Sequence, residues 1–181
     1  MGRGSADDLM DALKDHHARI EQMTAAVSAA SGHDREVVFR RLRRFLAAHE
    51  AAEQVFIHAS ASRLLADPDI ADQRLTEEDD TGRIIASLEA VDVDSAEFDR
   101  ILAELRTSVR RHARAEELQE LPEVIGSNGP ADIERMRQAL DHVDLVVSRR
   151  HGPLGEDDQS FATMLEAARA EFRALRDELS G

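Results

Sequence analysis

Apolar residues recur at the helical period along nearly the whole chain. Leu9, Leu13, Ile20, Met23 and Val27 form one stripe, with His16 and His17 in its gap. Val38, Leu42, Phe45, His49, Glu53 and Phe56 form a second. Ile70, Glu77, Thr81, Ile84, Ile85 and Leu88 form a third, and Phe98, Leu102, Leu105, Val109, His112 and Glu116 a fourth. Such spacing places each set on one face of an amphipathic helix. The pattern predicts helices over about 6–30, 34–65, 70–90 and 96–120. Ser5 or Asp7 can cap the first and Gly32 ends it; Asp34 caps the second, and Pro122 closes the fourth. Two further helices are expected over about 131–148 and 157–179, after the linker "IGSNGP" (125–130). No useful period-2 run and no strand hairpin is present. The fold class is therefore all-α. Four long helices with short connections pack best as an antiparallel up-down bundle. The bundle is expected over 1–124 and a C-terminal helical extension over 125–181, padding its outside or forming a contact such as a homodimer.

Composition narrows the picture. A 42% apolar content can supply a core, and no run approaches the ~20 apolar residues of a membrane span. The N-terminus turns polar and periodic at once, without the apolar stretch of a signal peptide, and the expected compartment is a prokaryotic cytoplasm. A net charge of −14 argues against a nucleic-acid partner, which needs a basic face. The Arg runs "RRLRR" (40–44) and "SVRRHAR" (108–114) read as solvated helix faces. There is no Cys, so thiolate metal sites are excluded.

His49 and Glu53 lie four residues apart on an apolar stripe, and His112 and Glu116 repeat the arrangement. Residues so spaced share a helix face, so each pair points into the core. A buried ionised carboxylate costs several kcal/mol unless it is paired or coordinates a metal. A metal centre offers that compensation, and carboxylate with imidazole suits iron, manganese or zinc.

These residues carry a resemblance to the hemerythrin-like HHE cation-binding family. "HARI" (17–20), "HEAAEQ" (49–54) and "HARAEELQELP" (112–122) follow its motifs in order, and "VDVDSAEFDRIL" resembles its actinobacterial members, over about residues 8–122. The resemblance implies a non-haem di-iron centre whose irons are capped by imidazoles and bridged by Glu53 and Glu116. It implies a ligand such as dioxygen, peroxide or nitric oxide, and a redox or oxidative-stress role that could include catalase-like peroxide consumption. The metal set it suggests is His17, His49, Glu53, Glu77, His112 and Glu116. Apolar phase alone puts His16 nearer the stripe centre; the motif picks His17. The third helix lacks the imidazole that the family often supplies. By phase Glu77 is the first candidate there and Glu78 the second, against a solvated acidic run "LTEEDDTGRI" (75–84). His58, nine residues after His49, falls nearly opposite it and reads as a boundary histidine. Glu50 reads as solvent-exposed or at the cluster edge, His33 and His142 as surface residues. His151, in "RRHGPLG" (149–155), could fold back over the bundle mouth as the missing imidazole. A reading of another class is a metal-poor regulatory or scaffold bundle that binds a protein partner.

Overall fold

The computed structural model describes residues 5–67, 69–149 and 159–181, so His151 and its loop lie outside the described residues. Among the described residues every regular element is helical. Helix α1 spans Ser5–Ala29. Helix α2 (Gly32–Ala52) runs through a π-helical turn (Glu53–His58) into α3 (Ala59–Leu64). After α4 (Asp69–Glu89) comes α5 (Ala96–Ala115), which continues through a second π turn (Glu116–Glu120) into α6 (Leu121–Ser127). Helices α7 (Pro130–Ser148) and α8 (Phe161–Ser180) complete the chain.

Three boundaries depart from the expected ones. Asp34 is not the cap of α2. The helix opens two residues earlier at Gly32, whose φ of 55° suits a glycine and whose N–H donates to the Asp94 carboxylate at 2.8 Å. Pro122 does not end the fourth helix. A proline inside a regular helix clashes with the carbonyl four residues back. Here it falls in the first turn of α6, directly after the π turn, where the Leu121 N–H bonds the Glu116 carbonyl five residues back. The last helix starts at Phe161, where Ser160 Oγ accepts from the Thr163 N–H. Asn128 and Gly129 are all that remains of the expected linker in non-helical form.

Helices α1, α2–α3, α4 and α5–α6 form the four-membered bundle, each packed on its neighbours. Cross-links give the directions. His17 meets Glu117 and Glu21 meets Arg106 and Arg110, so α1 and α5 are antiparallel. Thr81 meets Ser108 and Glu77 meets His112, so α4 and α5 are antiparallel as well. Leu9, Leu13, Leu42, Phe45, Ile85, Leu88, Phe98 and Leu105 are buried between them. Phe39 occupies the core position that phase had given to Val38, which is half-buried. The two C-terminal helices pack on the bundle: α7 lies against α1 and α2, and α8 against α2 and α4. Helix α2 is thus covered all round, and Leu46–Ala52 are buried without exception. Its alanines (47, 48, 51 and 52) make this close approach possible.

Candidate metal centre

The i,i+4 pairs meet as expected, deep between the four helices. His49 Nε2 lies 3.3 Å from Glu53 Oε1, and His112 Nε2 lies 3.3 Å from Glu116 Oε1. From α1, His17 Nε2 comes within 3.1 Å of Glu116 Oε2 and 3.8 Å of Glu53 Oε1. Each carboxylate therefore faces imidazoles of more than one helix. His16 stands outside this convergence. It packs edge-on against Phe45 and places Nδ1 3.4 Å from Nδ1 of His49.

His58 is a correction. Counted along a regular α-helix it sits about 180° from His49. The π turn spends an extra residue between Glu53 and His58, and its i→i+5 repeat brings the two onto one face. His58 is 1% exposed, with Nε2 3.6 Å from Glu116 Oε1. Two groups of ligand atoms result, each mutually within 4.8 Å: Glu53, His58, His112 and Glu116, and His17, His49 and Glu53. The sequence signal was present, as His49, Glu53 and His58 at spacings of four and five, but only a π turn makes the second spacing meaningful.

Glu77 and Glu78 do not join those groups. Glu77, partly exposed, accepts from His112 Nδ1 at 3.1 Å, on the far side of the ring from Glu116. Glu78 is the more buried of the two, with Oε1 3.1 Å from His58 Nε2 and Oε2 accepting from Gln54 at 2.6 Å. The acidic run is thus not wholly solvated. Glu50 is buried rather than exposed. His33 is exposed, while His142 is half-buried edge-on against Phe172.

The electrostatics reflect this crowding. Burial opposes a charge on His17, but the carboxylates of Glu116 and Glu53 outweigh it and lift its pKa to about 10. Burial and the neighbouring Glu116 raise Glu53 to about 7. Burial works against charge on His58 and His112 too, yet their acidic partners hold both well above the ordinary histidine range. His49 goes the other way, lowered by burial and by His17 and His16. Nε2 of His17 and of His112, and all four oxygens of Glu53 and Glu116, are buried and make no hydrogen bond despite the short separations. They point at shared space rather than along one another. Buried polar atoms are rarely left so. A cation with nitrogen and oxygen ligands satisfies all of them at once, and the donor set suits iron, manganese or zinc.

A cavity of about 360 Å³ adjoins the cluster. His17, His49, Glu50 and His112 line it on the inside, and Ile20, Leu46 and Val109 make its walls apolar. Toward its rim Glu21 holds Arg106 and Arg110.

A family model described as "Hemerythrin HHE cation binding domain" matches residues 8–124. No curated protein and no solved structure matches the chain.

Proposed function

The chain belongs to the hemerythrin HHE cation-binding family, and on that premise we propose that it is a non-haem di-iron protein that reacts with or senses dioxygen, peroxide or nitric oxide. The residues that would hold the metal in this reading are His17, His49, Glu53, His58, His112 and Glu116. Glu77, first expected as a ligand, holds the outer nitrogen of His112 instead. The observation that carries the reading is the set of buried, unbonded donor atoms on His17, Glu53, His112 and Glu116. Iron bound there supplies redox chemistry and a position for a small ligand. The chain's own residues do the rest. Leu46, Ile20 and Val109 supply apolar wall beside the cluster, and Glu50 and Thr81, with Glu21, Arg110, Arg114 and Glu117, are polar groups a ligand in the cavity would meet.

The test is metal analysis after anaerobic reconstitution with ferrous iron, followed by the absorption spectrum on exposure to air. Two irons per chain are expected, with ferric charge-transfer bands over a near-ultraviolet background kept low by the absence of Trp and Tyr. His58→Ala should lower the stoichiometry and His33→Ala should not. A folded protein that takes up no iron would instead support a metal-poor scaffold.

A further inference from the structure

The inner nitrogens of the cluster face its carboxylates; the outer ones face second partners. His17 Nδ1 lies 2.8 Å from Glu117, His112 Nδ1 3.1 Å from Glu77, and His58 Nδ1 2.8 Å from Glu120. Only His49 differs, with His16 behind it. An ionised carboxylate accepts but cannot donate, so the ring nitrogen beside it carries the proton. The three carboxylates are not equivalent. Glu117 and Glu77 keep side-chain exposures of 25% and 19%, whereas Glu120 is at 0%.

Glu120 is an expensive residue to bury. Its Oε2 makes no hydrogen bond, and its Oε1 has His58 as partner. A well-packed apolar side chain would serve stability at least as well at such a position. What an apolar side chain cannot do is orient an imidazole. We propose that Glu120 is a positioning residue for His58: it accepts the Nδ1 proton, fixes the ring, and turns Nε2 inward, where Glu78 lies 3.1 Å away and Glu116 3.6 Å away, beside Glu53 and His112. Helix α4 carries no histidine. One imidazole of the centre therefore arrives from the π turn after α2 and is held by a carboxylate from the π turn after α5. Outer-nitrogen carboxylates of this kind orient metal-bound histidines and raise their basicity.

This inference rests on reading the cluster as a metal site, and the experiment separates the two. Wild type, Glu120→Ala and Glu120→Gln are titrated with zinc and, anaerobically, with ferrous iron, while circular dichroism follows the fold. Wild type should bind two ions. Glu120→Ala should lose about 10–100-fold in affinity for one of them with helical content unchanged. Glu120→Gln keeps an oxygen acceptor and should recover part of that loss. In the zinc-loaded wild type, nitrogen-15 histidine spectra should show His58 protonated at Nδ1. If wild type binds no metal, the metal reading fails and takes this inference with it. If wild type binds two ions and Glu120→Ala binds them equally well, or His58 carries its proton on Nε2, the positioning role alone is overturned. Should the alanine variant not fold, the glutamine variant and the wild-type spectrum decide the matter.

Discussion

At the scale of single residues, protons and metal compete for the same atoms. With its pKa at about 10, His17 holds a proton at neutral pH in the metal-free chain, and Glu53, at about 7, is partly protonated. Metal ligands must give up their protons. Metal affinity should therefore rise with pH from about 6 toward 10, with net proton release near neutral pH. Calorimetry in buffers of different ionisation heat checks this, and an affinity flat across that range would contradict it. The sign for stability is opposite. A raised pKa means that the folded state binds more protons, so its contribution is complete below the ordinary histidine value and lost through the folded one. Without metal, the melting temperature should fall between about pH 7 and 10 as His17 loses its charge, and His58 and His112, also raised, act in the same direction. The His49–Glu53 and His112–Glu116 pairs were legible in the sequence because regular helix geometry joins residues four apart. His58 was not, because period counting assumes 100° at every step and the π turn breaks that assumption.

At the scale of elements, the helix periods were legible and the ends less so. Ser95 ends the turn "VDVDS" (91–95) and caps α5, its Oγ accepting from the Phe98 N–H at 3.1 Å. Ser95→Ala should destabilise the fold by about 1 kcal/mol while metal content stays at the wild-type level. Chemical denaturation with metal analysis of the folded protein tests both halves. Asp34 looked like an equally good cap, yet the left-handed Gly32 and its bond to Asp94 set the start of α2. That contact joins residues 62 apart, which no local pattern reveals. Pro122 was misread for a related reason: the rule that proline ends a helix does not anticipate a π turn placed just before it.

At the scale of the whole molecule, the C-terminal helices shape the setting of the site. Arg169 of α8 donates to Gln54, Gln54 donates to Glu78, and Glu78 faces His58, so a polar chain links the outer layer to the cluster. Phe172 on α8 is fully buried. Phe172→Ala should cost about 3–5 kcal/mol, read from denaturant midpoints. The sequence allowed these helices as padding or as an oligomer contact; α2, buried round its whole circumference from Leu46 to Ala52, required the padding. The bundle itself was legible because four stripes of one period leave few other ways to bury them. On the proposed reading the cavity, which opens past Arg110 and Arg114 into the field of a chain with net charge −14, should sort its visitors by charge. Uncharged oxidants should then enter at a rate indifferent to ionic strength. Anions such as azide should be held off at low salt and admitted faster once the field is screened to about 8 Å, at physiological ionic strength. If iron is bound as proposed, stopped-flow binding of azide to the oxidised protein should accelerate with added inert salt while the rate with hydrogen peroxide stays level, the behaviour of a conductor for neutral species and a resistor for anions.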